Sequence, residues 1–313
     1  MDSRENTTCL VLALQTIRNR KIATQVTRVP EQTAQLDSLF WAANVRPNVP
    51  NSTLPIAPRI KIFTVSDHLP KPEIVFENER ILVVHKPGGL LTQAPSGIDS
   101  MELRIKRFLA SRDGIEGKVY LGVPHRLDRP ASGVMVFAKN KKAARFLAEQ
   151  FQRREVEKTY WAVIDTSNAV SLDAKGTWQD WMRKVPDEAR SEICQPDDQG
   201  AQQAILHYQI GDPINDPRFP NCCWLSIKLE TGRSHQIRLQ SSTRKMPLVG
   251  DWLYGSAIAF GPDPEDQRLR WIALHARQLT FVDPKSKQPL TLQANVAEHW
   301  PVDLSSKKPT SDE

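Results

Sequence analysis

The segment His125-Arg126-Leu127-Asp128-Arg129-Pro130-Ala131-Ser132-Gly133 sets a carboxylate between two guanidinium groups and runs straight into the uncharged Val134-Met135-Val136-Phe137-Ala138. Pro130 and Gly133 bracket a tight turn, so Asp128 is expected to stand just before a rigid strand. Such a carboxylate suits an ionised nucleophile, because a cation within a few ångströms favours the charged form. An isolated Arg-Leu-Asp is more often an ordinary loop salt bridge of small energetic weight. Two other segments bear on that choice. Thr231-Gly232-Arg233-Ser234-His235-Gln236-Ile237-Arg238 has a glycine turn, a helix start at Ser234 and a second arginine. An arginine near that helix could supply a fixed cation for Asp128, or the segment could be a solvated basic face. In Lys158-Thr159-Tyr160-Trp161-Ala162, read as a strand, Tyr160 and Ala162 share one face and Trp161 takes the other. Tyr160 could stack on a base and move a proton, or pack in the core with its hydroxyl satisfied.

Rival chemistries have weaker support. His85, His125, His207, His235 and His275 show no i, i+4 pair of the metalloprotease kind, and no cysteine cluster assists them, so no metal site is expected. A retaining glycosidase also attacks an anomeric carbon, but it needs a second carboxylate, and the segments around Asp128 are rich in arginine instead.

The elements that must position these residues can be read from periodicity. Glu73–Glu77 and Ile81–His85 read as strands joined by a turn at Asn78-Glu79, and Lys86-Pro87-Gly88-Gly89 ends the second. Ser100 caps a helix running to Arg112, with Leu103, Phe108 and Leu109 as core candidates. Val134–Ala138 has the composition of a strand buried on both faces. Lys141–Arg153 carries a helical apolar stripe of Ala143, Ala144, Phe146, Leu147 and Phe151. Val156–Ile164, Ala204–Ile210, Cys223–Leu229, Leu274–Val282 and Leu290–Gln293 complete the strand candidates. Strands outnumber helices without regular alternation. That predicts an α+β fold with a mixed, largely antiparallel sheet and excludes a doubly wound parallel one. Pro262-Asp263-Pro264-Glu265-Asp266 reads as an acidic surface loop inserted before the Leu274 strand.

Length and composition set the frame. The chain has 313 residues, is 40% hydrophobic and 25% charged, and carries a net charge of +6, all consistent with a globular protein. No apolar run approaches the roughly 18 residues of a membrane span, and Cys9–Leu14 is too short for a signal peptide and lacks the basic residues expected before it. Cys9, Cys194, Cys222 and Cys223 form no paired motif, which points to free thiols in a reducing cytoplasm. Six prolines in residues 1–70 mark residues 1–72 as an extended, partly disordered leader, apart from a short helix expected near Cys9–Ile17. Residues 73–300 form the expected catalytic domain, and residues 301–313 a flexible tail.

With those blocks in place, the sequence resembles the RluA family of RNA pseudouridine synthases. The match runs in order through Ile81-Leu82-Val83-Val84-His85-Lys86-Pro87-Gly88-Gly89-Leu90, the H-R-L-D…S-G segment, Lys158-Thr159-Tyr160 and T-G-R-S-H-Q-I-R. It continues through Leu248-Val249-Gly250-Asp251-Trp252-Leu253-Tyr254-Gly255 and Leu274-His275-Ala276 with Leu279 and Phe281, covering about residues 73–295. Six blocks in the right order make coincidence very improbable. The resemblance implies the pseudouridine synthase fold, with flanking helices and a central RNA-binding cleft. It implies Asp128 as the catalytic aspartate, Tyr160 as the tyrosine that stacks on uracil, and Arg238 as the arginine paired with the aspartate. Arg126 would enter the RNA stack, and Arg129, Arg233, His235 and Gln236 would contact RNA. The reaction detaches uracil from its ribose, turns it and rejoins it through carbon, with no metal or other cofactor. The implied partner is a structured rRNA or tRNA hairpin, met by a cytoplasmic monomer.

Physical chemistry fits those implications. The detached uracil must be kept in place by enclosure and orientation. The target base must leave its stack at a cost of a few kcal/mol, which stacking on Tyr160 at about 1–3 kcal/mol per base can offset. Alternatives are a catalytically silent RNA-binding protein on the same fold and a carbohydrate-active hydrolase. Relatives commonly carry Thr where this chain has Ala131, so a local adjustment of the turn is expected. Residues before Glu73 show no small helical RNA-binding domain of the kind many relatives carry there. The basic charge is concentrated: residues 125–160 hold 9 basic and 4 acidic groups, and residues 225–245 hold 5 and 1. Two basic segments therefore flank Asp128, where phosphates would lie.

Overall fold

A computed structural model describes residues 69–169 and 173–301. The expected helix at Cys9–Ile17, nearly all of the leader and the tail lie outside the described residues. Ten strands form one sheet: β1 (Glu73–Glu77), β2 (Ile81–Lys86), β3 (Ser132–Ala138), β4 (Glu157–Asp165), β5 (Lys175–Lys184), β6 (Ser191–Ile193), β7 (Gln202–Pro213), β8 (Cys222–Leu229), β9 (Leu274–Val282) and β10 (Pro289–Gln293). Their order is β1-β2-β3-β9-β4-β8-β7-β5-β6, with β10 paired to β9. Every pairing is antiparallel except the short contact of β3 with β9. Three α-helices accompany the sheet: α1 (Met101–Asp113), α2 (Lys141–Gln152) and α3 (Gln236–Thr243). The architecture is the mixed, largely antiparallel α+β fold that the strand pattern predicts. No helix among the described residues is long and apolar enough to cross a membrane.

Local chemistry explains the helix limits. The side chains of Ser100 and Asn140 accept the backbone N–H of Leu103 and Ala143, satisfying donors that a helix start leaves free. Gly114 closes α1 in a left-handed conformation. In α1 the buried residues are Met101, Ile105 and Leu109, each one turn apart. Leu103 and Phe108 were expected in the core; neither is among the fully buried residues of α1, although Phe108 packs against the core's edge. Strands β5 and β6 escape sequence reading because β5 buries little: in Lys175–Lys184 only Trp178 and Met182 are fully buried. The segment expected to start a helix at Ser234 starts it at Gln236 instead. His235 sits at the N-cap in a left-handed conformation, with φ of 55°.

Two apolar cores meet near Tyr160. One holds β2, β3 and the inner faces of α1 and α2, including Leu82, Phe137 and Leu147. The other lies on β4, β7 and β8 with Ile164, Leu206 and Ile227. Tyr160 packs against both. Between them the Asp128 turn is closed by the Ala131 N–H, which donates to the Asp128 carbonyl over 3.2 Å. Ala131 is itself buried in the second core. The turn then feeds β3 through Gly133, whose φ is 129°; a Cβ there would lie 2.4 Å from the backbone N and O of Ala276. Glycine is required both by its conformation and by the close approach of β9.

Beneath the turn lies the ammonium of Lys86, fully buried at the end of β2. Its Nζ donates to the carbonyls of Pro87, Leu90 and Arg129 at 2.9, 2.7 and 3.2 Å. Burial pushes this lysine down to about 7, against the pull of the Asp128 charge. Three carbonyl acceptors around one nitrogen call for three N–H donors, so the geometry favours the charged form. The Lys86 contacts tie the Gly88-Gly89 turn to the Asp128 loop. That turn lacks side chains because Trp271 lies across it: a Cβ on Gly88 would sit 2.7 Å from the indole, and one on Gly89 2.9 Å from its nitrogen.

Two outcomes follow from this packing. Gly133→Ala should lower stability by about 3 kcal/mol or more, combining backbone strain with overpacking, as read by urea unfolding. His275 is fully buried, accepts from the Ser132 hydroxyl at Nδ1 and donates from Nε2 to the Ala294 carbonyl. Burial pushes it down to about 3, whereas the unfolded side chain takes a proton below about 6.5. The unfolded state therefore binds the extra proton between those values, so this contribution is complete above about 6.5 and shrinks as pH falls toward 3. At pH 5 the loss from this group should be about 2 kcal/mol, and His275→Asn should flatten the pH slope while lowering stability at neutral pH.

Candidate active site

A cleft of about 1370 Å³ opens over the junction of the two cores and is lined by Asp128, Tyr160, His235 and Arg238, among others. Asp128 projects from the turn before β3, Tyr160 from β4, and Arg238 from the first turn of α3. Burial increases stepwise from the cleft inward: the Asp128 side chain is 28% exposed, Arg238 6% and Asp251 1%. Arg238 joins the two carboxylates. Its Nε and Nη2 donate to Asp251 at 2.6 and 2.8 Å, while Nη1 reaches Asp128 Oδ2 at 3.4 Å. Burial works to lower the Arg238 guanidinium, but its bonds and proximity to Asp251 and the charge of Asp128 more than offset this and hold it above its ordinary range. It also lies over the Tyr254 ring, 5.0 Å from the centroid.

The cation facing Asp128 is thus Arg238. No ion pair joins Asp128 to Arg126 or Arg129, its neighbours in sequence, among the described residues. Arg126 is exposed and Arg129 half-buried at the cleft wall. Arg129 Nε is buried without a hydrogen-bond partner. Arg233 also lines the cleft and donates from Nε to the Gln203 carbonyl. His235 places Nε2 3.9 Å from Asp128 Oδ2 and Nδ1 3.0 Å from the Tyr254 hydroxyl. Burial lowers His235, with Arg238 adding to the effect against the Asp128 charge, so a neutral imidazole faces the carboxylate. Gln236 is turned inward. Its carbonyl accepts from the Thr231 hydroxyl and the Arg233 N–H, and its amide donates to the Ile205 carbonyl. It shapes the loop of residues 231–233 while also lining the cleft.

Tyr160 is half-buried at the cleft floor. Loss of hydration first, and then the Asp128 charge, push its phenol well above the ordinary tyrosine range. At neutral pH its hydroxyl is protonated, and the side chain lines the cleft. His125 supports the loop from below: Nε2 accepts the Val136 N–H at 3.1 Å, and the ring stacks on Phe151 at 4.6 Å. Burial and the Lys158 charge push it down to about 3, so it stays neutral.

Sequence reasoning assigned no role to Asp251, Lys86 or Tyr254. A lone acidic residue inside the otherwise uncharged Leu248–Gly255 block is a readable signal for Asp251, because a carboxylate in such a setting needs a buried cation. Tyr254 accepts the Ser191 N–H and meets His235, which ties β6 to the site. Its contact with a strand that sequence reading missed explains why it was not legible.

Comparisons with known proteins converge on one family. The RNA pseudouridylate synthase family profile matches residues 80–243. Ribosomal large subunit pseudouridine synthase D of Xylella fastidiosa is 32% identical over 252 residues, covering 78% of this chain and 72% of that protein. tRNA pseudouridine synthase C of Haemophilus ducreyi is 31% identical over 234 residues, covering 73% and 92%. Among solved structures, human RNA pseudouridylate synthase domain containing 4 superposes with a TM-score of 0.56 at 22% identity, over 72% of this chain and 89% of that one, and so shares the fold. The expected sequence blocks, the family profile and these relatives agree: the chain belongs to the RluA family of RNA pseudouridine synthases.

Proposed function

We propose that the protein isomerises specific uridines of structured rRNA or tRNA to pseudouridine, with Asp128 as nucleophile. The observation that carries this reading is the Asp128 carboxylate standing in the cleft against the buried Arg238, with the Tyr160 ring in the same cavity. Curated relatives named as acting on the ribosomal large subunit and on tRNA support both RNA classes.

In this proposal a uridine leaves its stack and enters the cleft. Arg126 takes the vacated place, and the uracil lies on Tyr160. Asp128 attacks either the ribose at C1′ or the ring at C6; both routes break the N1–C1′ bond and leave the base held in the enclosed site. The ring turns and C5 joins C1′; in the ribose route this displaces Asp128 from C1′, and in the ring route Asp128 is then eliminated from C6 as the C5 proton departs. N1 gains a proton, Asp128 is again a carboxylate, and the product is an isomer with no co-reactant consumed. Arg238 keeps the attacking carboxylate ionised and aimed, and Asp251 keeps Arg238 in place. Burial and the Asp128 charge keep the Tyr160 hydroxyl protonated, so it takes up the C5 proton only while passing its own on, as a relay to the regenerated Asp128 carboxylate or to N1.

The roles proposed for Asp128, Tyr160, Arg238 and Asp251 call on one chain alone, which supports a monomer as the working form. Cys194, Cys222 and Cys223 are free thiols, which suits a reducing cytoplasm. The activity is assigned to residues 73–300, outside the leader.

Asp128→Asn should abolish pseudouridine formation in total RNA while leaving RNA affinity within a few-fold; a variant with the normal rate of product would overturn the assignment. A chain starting at Pro70 should keep its activity if the leader does no chemistry. Loss of product from a truncated chain with an unchanged circular dichroism spectrum would place part of the site in residues 1–69.

A further inference from the structure

The two most exposed large apolar side chains among the described residues are neighbours at the mouth of the cleft: Trp252 at 52% and Leu253 at 51%. They begin a short 3-10 turn, Trp252–Tyr254, whose third residue is buried behind Arg238. Trp252 is therefore fixed at its base by the catalytic ion cluster while its ring stands in solvent. One face of the indole is occupied: the Arg270 guanidinium carbon lies 3.9 Å from a ring centroid of Trp252. Arg270 is held there by Asp263 at 3.5 Å, and its side chain is only 24% exposed.

The loop read from sequence as an acidic insertion has a different character in three dimensions. Asp266 binds the Nε and Nη2 of Arg268 at 2.9 and 2.8 Å and caps a 3-10 turn at Gln267–Leu269. Its acids thus orient arginines that line the cleft. The loop is rigidly anchored, because Trp271 lies across the glycines of the Gly88-Gly89 turn and against Gly261. Just beyond it, the Ile272 N–H donates to the Pro130 carbonyl over 3.2 Å, which fixes its distance from the Asp128 turn. Arg129 stands between the two, with its Nε buried and unpartnered, and its charge acts on Asp266.

We propose that Trp252 is a stacking platform for an unpaired nucleobase adjoining the target uridine, with Arg270 covering the opposite face of the indole and Arg129 and Arg268 facing the neighbouring phosphate. This inference rests on the cleft being the RNA site. An exposed indole backed by a guanidinium offers a flat, polarised face, and every base has a π-face to lay on it. The surrounding cations favour RNA as the occupant over an apolar peptide. The platform selects for a loop or bulge, since a neighbour still paired within a helix has no free face to offer. It also helps hold the target strand open by replacing a lost base–base stack.

The test uses a fluorescein-labelled RNA hairpin with an all-uridine loop and a second hairpin whose loop keeps one uridine among abasic sugars. Trp252→Ala should weaken binding to the first hairpin by about tenfold or more, as expected for one base–aromatic stack, and Trp252→Phe should recover most of it. On the abasic hairpin Trp252→Ala should change affinity less than twofold, because no neighbouring base remains to stack. Equal loss on both hairpins would overturn the proposal, since the indole would then serve the target base or the fold; so would equal affinity of variant and wild type on the first. Product formation by the wild type on total RNA separates this inference from the function itself. A protein that makes pseudouridine yet ignores Trp252 loses only the platform, and one that makes none yet binds through Trp252 loses only the activity.

Discussion

One guanidinium shared by two carboxylates organises the site. Arg238 gives two of its nitrogens to Asp251, in a bidentate pair buried almost completely, and leaves the third side for Asp128. The division of labour follows from exposure. A buried ion pair contributes little net stability, because desolvation cancels most of the attraction, yet removing one partner costs about 3–5 kcal/mol. Asp251 therefore fixes Arg238 more than it strengthens the fold. The longer 3.4 Å contact to Asp128 leaves that carboxylate held less tightly than Asp251.

The surrounding architecture serves to keep Asp128 and Arg238 at that distance although 110 positions separate them in sequence. Asp128 belongs to the β3 side of the sheet and Arg238 to the helix behind β8, and β9 lies between β3 and β4. The single parallel contact in the sheet, β3 against β9, is made at Ser132 and Gly133, directly after the Asp128 turn. A side chain at Gly133 would force those strands apart. Lys86 performs the same service from below by drawing three carbonyls of two loops onto one ammonium. Strand, glycine and buried lysine thus convert a loop aspartate into a fixed one.

Much of this was legible in the residues. The uncharged run after Asp128 marked β3, Pro130 and Gly133 marked the turn before it, and alternation placed Tyr160 and Ala162 on one face. What escaped reading depended on contacts that no local pattern encodes. Strand β5 buries two side chains and otherwise faces water, so its apolar signal is too sparse. Arg126 and Arg129 flank Asp128 in sequence without pairing to it among the described residues, and the cation in contact is Arg238, from the segment that the sequence also offered for that place. Gln236, an RNA contact by the family resemblance, lines the cleft and also bonds three groups of the neighbouring segments, which no local pattern shows.

Charge shows the same difference between sequence sum and spatial placement. A net +6 over 313 residues predicts little. The cleft wall, however, carries nine lysine and arginine side chains against three carboxylates, and two of those three, Asp128 and Asp251, are bound to Arg238. The remaining cations include Lys158, which burial and the nearby Arg154 charge both lower, and Arg233, lowered by the same two causes. Like charges brought together beside a half-buried wall raise the energy of the empty cleft. A polyanion entering it removes that repulsion and releases its own counterions, so the gain on binding is largest where the free protein is most strained electrostatically. Because that gain is blind to sequence, choice among RNAs must come from what the cations cannot supply; in the function proposed above, that is an unpaired uridine within reach of Asp128 and bases beside it free to stack.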